Sequence, residues 1–102
     1  MYTHKRRKRQ KGNNMITMFI GMNDKDLHKQ VLKDEAFYKA IARYIDSCTI
    51  FEAKGLYHGE FEKSLKLEIY DENEAYYIEI AKKLCVELNQ NEIIVNGQFI
   101  CA

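Results

Sequence analysis

The chain contains no proline and no tryptophan. Its breaks therefore fall on glycine and asparagine, at Gly12-Asn13-Asn14, Gly21, Gly59 and Asn96-Gly97. No apolar run approaches the roughly 20 residues that a membrane helix needs. The run over residues 15–22 is interrupted by Thr17 and Gly21, which argues against a secretory signal core. The cysteines, Cys48, Cys85 and Cys101, are odd in number and lack CxxC spacing, so they read as reduced thiols in a cytoplasmic protein. No serine or cysteine lies in a GxSxG elbow, and no glycine-rich phosphate loop is present. The usual signatures of nucleophilic hydrolases and phosphate-loop proteins are thus missing, and the sequence names no cofactor.

What is present suits one domain. One hundred and two residues, 46% hydrophobic and 30% charged, can bury a single core without metal or disulfides. The net charge of +1 conceals a separation. Lys5, Arg6, Arg7, Lys8, Arg9 and Lys11 place six positive charges in the first 14 residues with no acid among them. The rest holds ten basic against fifteen acidic residues, a balance of −5. Residues 1–14 therefore read as a disordered basic arm that buries nothing. Contact with nucleic acid, or with an acidic protein surface, competes there with a plain solvated tail.

The stretch MITMFIGMN is the first that can enter a core. Residues 15–20 read as a central strand, since both faces are largely apolar. The spacing of Phe37, Tyr38, Ile41, Tyr44 and Ile45 predicts a helix over 34–45, capped by Asp34. Residues 48–57 form a second strand, with Gly55 as a bulge or bend. A short turn at 58–60 leads to a third strand over 62–70, where Leu65, Leu67 and Ile69 alternate with polar residues. Asp71 and Glu74 have capping-box spacing. They open a second helix with the stripe Tyr77, Ile80, Ala81, Leu84, Cys85 and Leu88. Residues 92–101 make the last strand, bent at Asn96-Gly97.

The order βαββαβ is the split βαβ plan. The expected fold is α+β and ferredoxin-like: a four-stranded antiparallel sheet over 15–102, with two helices on one face, preceded by the arm. Thr17, Phe19, Phe51, Lys66 and Glu68 are candidates for the uncovered face, which suits a homodimer or trimer.

Two clusters carry potential chemistry. Asp24, Asp26 and His28 follow the first strand at alternating positions and could hold Mg²⁺ or Mn²⁺, against ordinary helix capping as the alternative. Lys54, Tyr57 and His58 surround the hairpin and could meet a ligand, against a solvent-facing turn with a packed tyrosine. An acidic residue after the first strand is similar in placement to that of the nuclease subunit of CRISPR adaptation. The hairpin position is similar to that of nitrogen-regulatory PII-like proteins, although the hairpin here reads as short.

The segments ITMFIGMNDKD, HKQ, IFEAKGLYHGE and SLKLEIYD together resemble a family of short proteins from phages and mobile elements of Gram-positive bacteria, over residues 16 to 95. The resemblance does not extend to the arm. It implies a phage setting in a host cytoplasm. With the missing catalytic motifs, it raises the expectation of a non-enzymatic inhibitor of a bacterial defence system, anti-CRISPR-like, whose arm meets nucleic acid or an acidic partner. The alternative is a PII-like or nuclease-like module that binds a small ligand or nucleotide, or processes nucleotides with metal.

Overall fold

A computed structural model describes residues 15–101. The arm, with Lys5, Arg6, Arg7, Lys8, Arg9 and Lys11, lies outside the described residues. The elements are β1 (Ile16–Gly21), α1 (Asp34–Tyr44), β2 (Thr49–Tyr57), β3 (Glu60–Ile69), α2 (Glu74–Glu87), β4 (Ile93–Val95) and β5 (Gln98–Ile100). They form an α+β domain with one antiparallel sheet in the order β2-β3-β1-β4-β5.

The expected four-stranded sheet is corrected to five strands. Residues 92–101 are not one bent strand but a hairpin. Asn96 and Gly97 have φ of 48° and 83°. Two consecutive positive φ values make the tight turn whose twist matches paired strands, and asparagine and glycine tolerate them best. Asn96 also ties the turn to β1: its Oδ1 accepts from the Thr17 N–H and its own N–H donates to the Thr17 carbonyl, both at 2.8 Å. β4 thereby becomes an interior strand and β5 takes the edge.

β1 sits at the centre between β3 and β4. Ile16, Met18 and Ile20 point to the helices and are buried. Their cross-strand partners Ile69, Leu67 and Leu65 do the same, as do Ile93 and Val95 of β4. Phe37, Ala40 and Ile41 of α1 close this layer, as do Tyr77, Ile80, Ala81, Leu84 and Cys85 of α2. Each buried aliphatic side chain contributes about 1.5–3 kcal/mol relative to exposure. The opposite face is open. There the register sets Phe51, Lys66, Phe19, Ile94 and Phe99 in one row across all five strands. Thr49, Glu68 and Thr17 form the next row. The Lys66 ammonium lies 5.5 Å from the Phe51 ring centroid and 3.2 Å from Glu68.

Several local expectations are corrected. Asp34 is not the cap of α1. Lys33 holds that position without a side-chain bond, and Asp34 is the first helical residue. Its carboxylate accepts instead from Lys63 Nζ at 2.6 Å and Gln30 Nε2 at 2.8 Å. α2 is capped by Asn73, whose Oδ1 accepts from the Tyr76 N–H at 3.1 Å. Asp71 serves the preceding turn, accepting from the amides of Glu72 and Asn73 and from the Tyr77 hydroxyl. Gly55 makes no bulge, because Lys54, Gly55 and Leu56 pair in unbroken register with Lys63, Glu62 and Phe61. The hairpin is not short either. Its turn is only His58-Gly59, both at positive φ, but β2 pairs with β3 over all nine of its residues.

The reading of all three cysteines as reduced thiols is also corrected. Cys85 and Cys101 are joined, with Cα atoms 6.6 Å apart, which fastens α2 to the residue after β5. The β4–β5 reversal brings these positions together, and that reversal is what the single-strand reading missed. Cys48 remains a free thiol, its pKa raised by burial. Among the described residues, no helix is long and apolar enough to cross a membrane.

Candidate functional site

The carboxyl end of β1 meets the far half of the β2–β3 hairpin on the open face of the sheet. A concavity of about 220 Å³ forms there. Its floor is built by backbone rather than by bulk. Gly21 of β1 pairs with Ser64 of β3, and Gly55 of β2 pairs with Glu62. β3 thus runs between two glycines, and its polar side chains lean into the space they leave. A Cβ on Gly21 would lie 2.6 Å from Glu62 Oε2, and one on Gly55 would lie 2.9 Å from Ser64 Oγ. Glycine inside a strand often marks such a close approach. Glu62 is held from the other side as well, because its Oε1 accepts from the Asn23 N–H at 3.1 Å. Ser64 is buried on the floor, 7% exposed.

Phe19, Tyr57 and Ile94 supply the apolar walls. The Tyr57 ring packs edge-on against His58, with centroids 4.2 Å apart, and its hydroxyl accepts from Asn91 Nδ2 at 3.4 Å. That contact links the hairpin to the segment between α2 and β4. The rim is acidic. Asp24, Glu60, Glu62 and Glu92 line the concavity against one lysine, Lys25. Such a wall raises the local concentration of cations.

The loop after β1 shapes the remaining side. Asp24 Oδ2 accepts from the amides of Asp26 and Leu27 at 3.0 and 3.1 Å, and its Oδ1 accepts from Asn89 Nδ2 at 2.8 Å. The Asn89 amide is the main reason that the Asp24 pKa lies below the usual carboxylate value. The loop amides add to it and burial opposes it. Gln90 Nε2 donates to the Asn23 carbonyl at 2.9 Å.

The two sequence clusters are therefore partly united. Asp24, His28 and Tyr57 line one concavity. Asp26 stands outside it, bonded to Asn89. His58 occupies the hairpin turn. Lys54 faces the other side of the sheet, 5.7 Å from the Phe61 centroid. Among the described residues, no group of three His, Cys, Asp or Glu side chains is arranged to hold a metal ion. Sequence reasoning missed Glu62, Ser64 and both glycines. Gly21 at the end of β1 and Gly55 inside β2 were the available signal, but Gly55 reads from sequence as a bulge or bend, and Glu62 only as the first residue of the third strand.

No family model matches the chain, and no curated protein matches its sequence. Two solved structures share its fold. A phage SAM lyase in complex with S-methyl-5′-thioadenosine aligns with a TM-score of 0.60 and 18% identity, covering 79% of this chain and 76% of that one. A phage SAM lyase in the apo state aligns with a TM-score of 0.61 and 21% identity, covering 79% and 75%. These neighbours overturn the expectation of a non-enzymatic, anti-CRISPR-like binding protein, because both are enzymes. They fit no better with a PII-like ligand binder or a nuclease-like nucleotide-processing module. Missing motifs exclude only the chemistries those motifs carry, so they did not exclude an enzyme.

Proposed function

We propose that the chain is a lyase acting on a sulfonium nucleoside of the S-adenosylmethionine type, with the concavity around Glu62 as its substrate site. The observation that carries this is the seating of Glu62. A carboxylate is held between Gly21 and the Asn23 amide, beside apolar walls and under an acidic rim, on a fold shared with two SAM lyase structures.

The chemistry asks little of the protein. In the substrate, the methionyl carboxylate attacks its own γ-carbon. One C–O bond forms and the C–S⁺ bond breaks. The electron pair passes to sulfur, which leaves as a neutral thioether, S-methyl-5′-thioadenosine. No proton moves and no water is consumed. The protein's task is to hold the chain in the cyclising conformation, where proximity and orientation supply most of the acceleration. Glu62 and the acidic rim hold the substrate's ammonium group, which keeps the substrate carboxylate free to attack. Opposite charges annihilate in this step, so the apolar walls of Phe19, Tyr57 and Ile94 favour it by replacing water around the reacting ions.

At about 220 Å³ the concavity is smaller than the roughly 300–1,000 Å³ of whole small-molecule pockets. It takes the charged arm of the substrate, and the nucleoside extends onto the open face near Phe19. Calorimetry with S-adenosylmethionine tests this reading. The intact protein is expected to bind it, and Glu62→Gln to bind it at least about tenfold more weakly, as loss of a charged hydrogen-bond partner implies. Equal binding by the two proteins, or none by either, would overturn it.

A further inference from the structure

α2 ends in a pattern that assigns Asn89 more than a capping role. The Gln90 N–H bonds the Cys85 carbonyl at 2.9 Å and the Asn89 N–H bonds the Val86 carbonyl at 3.3 Å. These are the two closing bonds of a Schellman turn, with Asn89 as its left-handed residue at φ 52°. Glycine is the usual occupant of that position, since it has no Cβ to oppose the conformation. Asparagine also tolerates it, and unlike glycine it brings a side chain that can bond beyond the helix.

Three bonds leave Asn89 for the loop after β1. Its carbonyl accepts from the Lys25 N–H at 3.0 Å. Its Nδ2 donates to Asp24 Oδ1 at 2.8 Å and to Asp26 Oδ2 at 3.0 Å. The neighbouring Gln90, 7% exposed, donates to the Asn23 carbonyl. The loop's other bonds are largely its own, Asp24 N–H to the Lys29 carbonyl at 2.8 Å and His28 N–H to the Asp24 carbonyl at 2.9 Å, with Gln30 Nε2 on Asp34 at 2.8 Å, while its apolar residues Leu27, Val31 and Leu32 point outward, 59%, 51% and 37% exposed. A segment with few buried apolar contacts opens easily unless hydrogen bonds fasten it. Asp24, in turn, organises the loop from within through the amides of Asp26 and Leu27.

We infer that Asn89 is a positioning residue for the substrate site: its amide fastens Asp24 and Asp26 to the end of α2 and so sets the rim formed by Asp24, Lys25 and His28. This rests on the reading of the concavity as a substrate site. The lock acts before chemistry, on the geometry of the rim, so it governs how well substrate is held more than how fast held substrate reacts.

Asn89→Gly separates this role from folding, because glycine keeps the left-handed turn and removes only the side-chain bonds. The variant is expected to melt at or slightly above the temperature of the intact protein. Hydrogen exchange at the amides of Asp26 and Leu27 is expected to quicken by roughly tenfold or more, since two hydrogen bonds to carboxylates are lost. KM for S-adenosylmethionine is expected to rise by a similar factor, with kcat within about twofold. Asn89→Asp sets a third carboxylate beside Asp24 and Asp26 and is expected to loosen the loop further. The swap Asp24→Asn with Asn89→Asp restores an amide-to-carboxylate contact and is expected to recover much of the lost protection. Unchanged exchange and unchanged KM in Asn89→Gly would overturn the inference, as would a fall in melting temperature with kcat and KM both impaired. If the intact protein leaves S-adenosylmethionine untouched, the functional reading fails, while the exchange rates of the variants still decide whether Asn89 locks the loop.

Discussion

Glu62 occupies the space that a side chain on Gly21 would fill. A Cβ on Gly21 would stand 2.6 Å from one carboxylate oxygen of Glu62 and 2.8 Å from the other. The glycine and the carboxylate therefore form one unit: the first makes room, and the second is aimed by the room made.

Gly21→Ala is thus expected to act on the site more than on the fold. The atoms it strikes are the far end of a flexible side chain, which can swing away, and Gly21 is not at positive φ. Stability should change by less than about 1 kcal/mol, within the span of strand preferences. Affinity for S-adenosylmethionine should fall nearly as far as in Glu62→Gln. Paired denaturation curves and calorimetry check this. A variant that binds normally would show that the carboxylate needs no notch.

Charge should separate substrate from product. The proposed substrate is a sulfonium and its product a neutral thioether, and the rim sets four carboxylates against one lysine. The protein is expected to bind the cation more tightly than S-methyl-5′-thioadenosine. The gap should narrow in Glu62→Gln and at about 1 M salt, where the Debye length falls to roughly 3 Å. Titrations of both ligands at two ionic strengths measure it. A gap that ignores salt would place the discrimination elsewhere.

Alkaline pH should weaken the fold through Tyr77. Burial, then its hydrogen bond to Asp71, raises its pKa from 10.0 to about 12. The folded state thus favours the neutral phenol more than the unfolded state does. Its contribution is complete below pH 10 and is lost as pH rises toward 12. Tyr77→Phe keeps the ring and removes the titration. Urea midpoints at about pH 9 and pH 11.5 should fall less for that variant than for the intact protein. Equal falls would mean that Tyr77 does not carry the alkaline loss.

The two faces of the sheet should respond differently to truncation. Leu67 is fully buried between β1 and β2, whereas Phe51 is 43% exposed on the open face. Leu67→Ala is expected to cost about 2–5 kcal/mol and Phe51→Ala much less. Chemical denaturation of both variants, followed by circular dichroism, gives the comparison.

Much of the architecture was legible because its period was clean. The alternation of Leu65, Leu67 and Ile69, and the stripe from Tyr77 to Leu88, each named an element and its buried face. Thr17, Phe19, Phe51, Lys66 and Glu68 were placed correctly on the open face, since alternation along a strand leaves only two choices. What stayed hidden depended on pairs distant in sequence. The β4–β5 reversal was visible in Asn96-Gly97, but each strand is only three residues long, too short to show its own alternation. Asp34 and Asp71 looked like caps because aspartate commonly is one. Lys63, which only the fold brings near, draws Asp34 to other work, and Asp71 is drawn to the turn before α2 and to Tyr77, six residues on. The site was half legible. Asp24, His28 and Tyr57 were singled out, but in two separate clusters. Glu62 went unseen because a carboxylate on an alternating strand looks like any solvent-facing residue until Gly21 is known to lie beside it.

Incubation of the intact protein with S-adenosylmethionine in ¹⁸O-labelled water, with products followed by mass spectrometry from the first turnovers, tests the central claim most directly. The expected result is S-methyl-5′-thioadenosine together with a four-carbon lactone free of solvent oxygen, both strongly reduced in Glu62→Gln. Unchanged S-adenosylmethionine, or a first-formed product already carrying ¹⁸O, would contradict it.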